Sequence, residues 1–355
     1  MAGFEYTHFQ EGPMFRKIAL MTLITAAAIG TAFATGVQEA APAAGNQPVK
    51  LVWSTAGVPA DAHTQAMQVF KTEVEKISGG NITVDNYDSG SLFAQGPDFD
   101  AAMQGKIDMV YSSASWTAQH VPEMSMFSAA FTFQSYNQMT KTFNGPIGER
   151  LFEKVAAKLG IRPLMAFYLG TRQLNLTEKA GPVTNPAQMR TVKMRVPNSP
   201  AWIAMGRALG ANPTPMAFGE VYMGLKTGVV DAQDNPLPTN RNAKFYEVTK
   251  YIVLTDHVVD SVWPTINEKK WQSLSAQQKQ WIMAALEVAR KHCDTINQNN
   301  EASILDFFRQ EGTTVIENPD KAAFAAYAKN YYLNEAKDIS KDWDLALYEE
   351  IQKIR

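Results

Sequence analysis

From residue 49 onward, short runs rich in β-branched and aromatic residues alternate with helical patterns, which confines the chain to an α/β fold of helices on largely parallel sheet. Residues 51–54, 81–87 and 107–112 read as strands. Between them, 61–78 reads as a helix with Ala66, Val69, Phe70, Val74 and Ile77 on one stripe, ended by Gly79 and Gly80, and 97–104 as a second helix. The opening is therefore βαβαβ, the start of a doubly wound sheet whose ligands sit beyond the carboxyl ends of the strands.

A second series follows. Residues 162–169 and 173–177 read as extended segments separated by Gly170, Thr171 and Arg172, a crossing between lobes, and 191–196 begins the next βα pattern. Ser199 and Pro200 supply a hydroxyl N-cap and a first-turn proline to a helix that Gly210 ends. Residues 218–227 repeat the helical pattern with Gly228 as C-cap, and strands are expected at 229–231, 251–254 and 261–266. The tail opens with a capping box of Ser275 and Gln278 and stays helical toward Phe308. That length implies either a break in the polar run 297–300 or one element bridging both lobes, and we favour bridging. A last helix at 321–337 carries Phe324, Tyr327, Ala328 and Tyr331 on one side.

A length of 355 residues suits one large domain or two medium ones. A net charge of −2 gives no basic field for nucleic acid. Cys293 is the single cysteine, which excludes an internal disulfide and a thiolate cluster. The histidines (His8, His63, His120, His257, His292) are scattered without i, i+4 spacing, so neither a metal nor a cofactor is expected. At the N-terminus, Arg16 and Lys17 precede an uncharged run, residues 18–34, that closes on Ala32 and Ala34. This reads as a signal peptide over 1–34, cleaved after Ala34, with a flexible linker at 35–48. An uncleaved anchor is the alternative, Met14 is an alternative start, and the absence of a following cysteine excludes lipid attachment there. The expected location is periplasmic and the default state monomeric.

The segment with most chemistry is 193–200, KMRVPNSP, which sets Arg195 at a strand end before a helix start. A guanidinium fork matches a carboxylate, and free amides at a helix start favour the same charge. A surface ion pair is the plainer reading, and position favours the anion site. Phe218, after PTPMA at 213–217, either walls a pocket or packs in the core. Asn235 either hydrogen-bonds a ligand oxygen or shapes the turn before Pro236.

Taken in order, 193–200, 213–222 (PTPMAFGEVY), 228–236 (GVVDAQDNP), 246–251 (YEVTKY) and 255–257 (TDH) resemble the solute-binding subunits of tripartite ATP-independent periplasmic (TRAP) transporters. The resemblance is most specific from about Gly170 to His257 and implies a periplasmic-binding-protein-like fold of two lobes, a cleft between them and a long bridging helix. On that pattern lobe I is 49–170 plus about 260–295, and lobe II is 171–259 plus about 296–355. It implies that Arg195 clamps a ligand carboxylate, that Arg172 is a second basic contact, Asn235 the amide contact and Phe218 the aromatic wall. Thr55 and Ser113 fall where relatives line the cleft, and Trp53, Trp116 and Trp263 are candidates for shaping its far end. Ala232 and Asp234 replace the commoner Gly and Glu around Gln233, and Leu92-Phe93 stands where relatives carry Leu-Gly, so ligand identity does not transfer. The implied function is capture of a small organic acid, such as a dicarboxylate, and delivery to TRAP membrane permease subunits, without catalysis. The rivals are an exported α/β enzyme acting on a small acid and the ligand-binding module of a sensor. The sequence offers the enzyme no Gly-x-Ser-x-Gly elbow and no phosphate loop.

Overall fold

The computed structural model describes residues 47–354. The expected leader and the linker upstream of Gln47 lie outside the described residues. The strands are β1 (Val49–Ser54), β2 (Ile82–Tyr87), β3 (Met109–Ser112), β4 (Ile161–Pro163), β5 (Phe167–Leu176), β6 (Lys193–Val196), β7 (Asn212–Pro215), β8 (Ala232–Pro236), β9 (Tyr251–Asn267) and β10 (Thr314–Ile316). They run in the order β2-β1-β3-β9-β5-β8-β6-β7, with β4 and β10 also on β9.

Two parallel halves meet on one long antiparallel crossing. β1 runs parallel to β2 and β3, while β6 runs parallel to β7 and β8. β9 serves both halves, pairing antiparallel with β3 through Trp263–Ile266 and with β5 through Tyr251–Val262. The expected separate strands at 251–254 and 261–266 are thus one element; of the extended segments expected at 162–169 and 173–177, β5 joins 167–169 to 173–176 through Gly170, while 162–163 belong to the separate strand β4. The polar residues that interrupt the pattern mark irregular pairing: the β5–β9 register shifts at Tyr168/Gly170 and Arg172/Leu174, and Asp256 takes φ 48°. Gly170 has a structural reason to lack a side chain. Its φ is +126°, and a Cβ there would lie 2.6 Å from Pro236 Cβ and 2.9 Å from Glu301 Oε1.

The helix Ala62–Ile77 buries Ala66, Phe70 and Val74 of the predicted stripe, together with Met67, against Leu51, Trp53, Ile82 and Val84, while Val69 and Ile77 of that stripe pack half-buried at its edge. The tail helix is unbroken from Ala276 to Gln310 behind the expected Ser275 capping box. It joins the first half through Ile282, Ala285, Leu286 and Cys293 and the second through Ile304 and Phe308. At the crossing its polar residues replace apolar ones because they satisfy β5: Asp294 Oδ1 accepts from Tyr168 N at 2.7 Å, and Asn297 Nδ2 donates to Tyr168 O at 2.7 Å.

The chain end departs from the expected lobe assignment. Ile351, Trp343, Leu347 and Tyr348 pack with Phe127, Phe143 and Val155 of the first half, and Gln138 Nε2 donates to Ile351 O at 3.0 Å. A segment read only by its position after the bridging helix was expected in lobe II; its apolar side instead covers the helices Tyr136–Phe143 and Pro146–Leu159. The expected strand at 229–231 is also displaced, since β8 begins at Ala232.

Candidate functional site

The carboxyl ends of β1, β3, β6 and β8 converge on one cavity of about 110 Å³ between the two halves. Thr55 follows β1, Ser113 follows β3, Arg195 and Pro197 come from β6 and the turn after it, Asn235 ends β8, and Arg172 rises from β5. Trp116 and Phe218 complete the set of expected residues on its lining.

Arg195 is 1% exposed and takes part in no ion pair among the described residues. Its Nε donates to Met216 O at 2.9 Å, and Nη2 donates to Gln95 Oε1 of the first half at 2.9 Å. Of the five N–H groups of a guanidinium, the Nη1 pair and one on Nη2 have no partner among the described residues. Burial, and then the neighbouring Arg172 charge, destabilise its charged form and lower its pKa, so an anion placed here relieves a strain built into the fold. Phe218 stands 6.0 Å from the guanidinium carbon and edge-on to Phe245 at 5.7 Å, so it both walls the cavity and packs into the core.

Arg172 differs. It is 3% exposed, donates from Nε to Asp234 Oδ2 at 2.6 Å and from Nη1 to Asp260 Oδ2 at 2.7 Å, and lies 4.4 Å over the Trp202 ring. Its Nη2 also donates to Asp234 O at 2.7 Å and Asn235 Oδ1 at 3.2 Å. Arg172 therefore reaches the cavity as a cation already neutralised by two acids. Burial alone would raise Asp234, but Arg172 and then His257 hold it well below the usual carboxylate range. His257, fully buried, belongs to this cluster through Nε2 to Asp234 Oδ2 at 3.1 Å and Nδ1 to Thr255 Oγ1 at 2.8 Å. Asn235 donates from Nδ2 to Gln233 Oε1 at 2.6 Å, which fixes its amide beside the cavity.

On the first-half wall, Thr55 Oγ1 accepts from Gly57 N at 3.1 Å and Ser113 Oγ shares a 2.8 Å hydrogen bond with Ser115 Oγ. Trp53 and Trp263 are not on this wall. Both are fully buried in the core, Trp53 edge-on to Phe70 at 5.3 Å and Trp263 against Phe143 at 4.9 Å. The expectation that they shape the cleft is corrected by strand alternation, which points both rings into the layers of helices.

Sequence reasoning passed over Gln95, Asp98, Asp61, His63, Trp202 and Asp260, all on the lining. Asp61 and His63 follow the carboxyl end of β1, the rule that selected Thr55, and so were within reach. Gln95 sits in an irregular stretch after β2 where no periodic signal exists, and Asp98 is in the first turn of the helix Pro97–Met103, predicted at 97–104 but without a signal that its side chain faces the cleft.

The sequence model of bacterial extracellular solute-binding protein family 7 matches residues 54–338. A solute-binding protein of Roseobacter denitrificans is 33% identical over 264 residues, 74% of this chain and 80% of that protein. The fold is similar to the crystal structure of a TRAP periplasmic solute-binding protein from Roseobacter denitrificans with bound 3-deoxy-D-manno-oct-2-ulosonic acid, at TM-score 0.82 and 34% identity over 87% of this chain and 100% of that one. A second TRAP periplasmic solute-binding protein from the same organism, with bound L-galactonate, gives TM-score 0.78 and 30% identity over 86% of this chain and 99% of that one.

Proposed function

The chain belongs to family 7 of the bacterial extracellular solute-binding proteins, the TRAP solute-binding proteins, and from that premise we propose that it holds a sugar acid by its carboxylate on Arg195 and delivers it to membrane permease subunits. The observation that carries the reading is the state of Arg195: buried, unpaired with any acid among the described residues, and on the cavity between the halves. A guanidinium in that state costs free energy until an anion reaches it. Arg172, Asn235, Thr55, Ser113, Trp116 and Phe218 line the same space, with Asn235 held to offer an amide hydrogen. The sugar acids in the two similar structures make this ligand class the first to test.

The solute-binding relatives support a role in binding rather than catalysis, and the leader expected at 1–34 supports delivery to the periplasm. A thermal-shift screen against potassium salts of sugar acids tests the binding, because a ligand at a hundred times its dissociation constant adds about 2.7 kcal/mol to stability. Absence of any shift across the acids sinks the proposal. Recovery of the bound acid unchanged after long incubation separates it from an enzyme.

A further inference from the structure

The cavity wall contributed by the first half carries two buried polar side chains whose hydrogen-bonding capacity is not filled among the described residues. Asp98, 7% exposed, accepts from Gly96 N at 2.9 Å and Phe99 N at 2.8 Å, both on Oδ1, while Oδ2 has no partner among the described residues. His63, 8% exposed, accepts from Tyr111 Oη on its backbone oxygen and keeps both ring nitrogens without a partner among the described residues. Its ring occupies room that only a glycine leaves, because a Cβ on Gly57 would lie 2.3 Å from His63 Nε2. Both side chains line the cavity.

The charges around them do not suit a dianion. Of the two arginines on the lining, Arg172 is neutralised by Asp234 and Asp260, leaving Arg195 to balance one incoming negative charge. Asp61, also on the lining, adds a carboxylate whose oxygens are taken up by Val58 N and Asn242 Nδ2, both at 3.0 Å. Unpartnered groups in this wall await a group that brings hydrogen rather than charge, and a hydroxyl both donates and accepts.

We propose that this wall reads hydroxyls: the solute is a polyhydroxylated acid with a single carboxylate, its hydroxyls meet Asp98 and His63, and Asp98 turns away a second carboxylate. The inference rests on the clamp at Arg195. Burial, with a smaller contribution from Asp100, pushes Asp98 up to about 7 against hydrogen bonds from backbone amides, so near neutrality its carboxyl both accepts from and donates to hydroxyls. Burial likewise favours neutral imidazole at His63, one nitrogen donating and the other accepting. A second carboxylate at the same place meets the ionised fraction of Asp98 and the Asp61 carboxylate on the same lining, and rejection follows from repulsion rather than size.

The test is isothermal titration of the full chain with potassium L-galactonate, D-gluconate, succinate and hexanoate. The wild type is expected to bind one of the polyhydroxylated acids at least a hundredfold more tightly than succinate or hexanoate. Asp98→Asn keeps an oxygen for the Gly96 and Phe99 amides and is expected to narrow the preference over succinate at least tenfold. His63→Ala is expected to weaken the hydroxylated acid about tenfold while leaving hexanoate unchanged. Succinate or hexanoate as the tightest ligand, or a preference ratio unmoved by Asp98→Asn, overturns the proposal. Arg195→Ala separates this from the clamp: if it abolishes binding of every acid while Asp98→Asn leaves the ratio intact, the hydroxyl-reading wall fails and the clamp stands. If Arg195→Ala leaves binding intact, the clamp fails first.

Discussion

Replacing Arg195 by alanine is the sharpest perturbation, because the structure sets its size. The side chain is 1% exposed, so whatever it binds is removed from water with it. Nε is committed to Met216 O and one Nη2 hydrogen to Gln95, which leaves Nη1 and the second Nη2 hydrogen to form two bonds with a carboxylate. Hydrogen bonds to charged groups contribute about 1.5–3 kcal/mol each, so the pair is expected to contribute about 3–6 kcal/mol. At about 1.4 kcal/mol per decade the alanine variant should bind L-galactonate at least a hundredfold more weakly. Arg195→Lys keeps the charge but loses the fork and the Nε anchor, and a loss of about 1–3 kcal/mol is expected. Because alanine also cuts the link to the first half, Gln95→Ala is the control: it removes that link without the charge and should cost about 1.5–3 kcal/mol, below the loss for Arg195→Ala. Proteins are unfolded and refolded to strip co-purified solute, checked by circular dichroism, and titrated calorimetrically. An alanine variant that folds and binds within threefold of wild type refutes the reasoning, and a lysine variant equal to wild type refutes the bidentate geometry.

Asp98 titrates from 3.8 toward about 7 on folding, so its ionised form destabilises the folded state progressively as pH climbs through that window. Asp98→Asn should therefore melt with the wild type at about pH 4 and several degrees above it at about pH 8; a gap that does not open with pH counts against the buried acid. Asp234 is the opposite case: its depressed folded pKa stabilises the protein above the ordinary aspartate value of about 3.9, and that contribution is lost as pH falls through the lower folded value. Asp234→Asn leaves Arg172 with Asp260 alone and should cost about 3–5 kcal/mol in urea unfolding at neutral pH, shrinking on acidification; a loss independent of pH would speak against the ion pair. Gly170→Ala should cost more than about 1 kcal/mol, and an unchanged urea midpoint would refute the close approach of Pro236 and Glu301. Asn242→Ala removes bonds of 3.0 Å to Asp61 and Ala60 across the cleft and should weaken galactonate several-fold, with a larger radius of gyration in X-ray scattering of the ligand-free protein; an unchanged radius would refute a latch.

What the sequence revealed and what it hid follow from the range of each interaction. The helix Ala62–Ile77, the capped start at Ser199 and the opening at Ser275 were legible because periodicity and caps are local. Arg195 was legible because the strand end and following proline-fixed turn bring the rule of ligands at carboxyl ends into force. β9 read as two strands because Asp256 and His257 interrupt its apolar pattern, and their partners, Gln173 and Asp234, are distant in sequence. The neutralisation of Arg172 was hidden for the same reason: Asp234 and Asp260 reach it from β8 and β9, and no spacing along one strand announces a pairing between three. Trp53 and Trp263 were misplaced because alternation separates the faces of a strand without telling which face meets the cleft.

The arrangement around the cavity sets how ligand and closure are coupled. Side-chain bonds between the halves at its edge are few, from Asn242 to Asp61 and Ala60 and from Arg195, the very cation that awaits a ligand, to Gln95. At about 0.5–1.5 kcal/mol for a neutral bond and about 1.5–3 kcal/mol for one to a charged group, these are all that offset the cost of closing empty at this edge among the described residues. Closing an empty cavity also buries Arg195 without an anion and Asp98 with only Oδ1 bonded, and both costs oppose it. A carboxylate on Arg195 and a hydroxyl on Asp98 cancel both costs at once, one in each half of the molecule. The ligand therefore favours the closed form by the sum of two relieved penalties rather than by contact area, since only differential affinity between two states shifts their populations. By the same argument, a carboxylate that lacks the hydroxyl relieves only one, so it should bind without closing the protein fully.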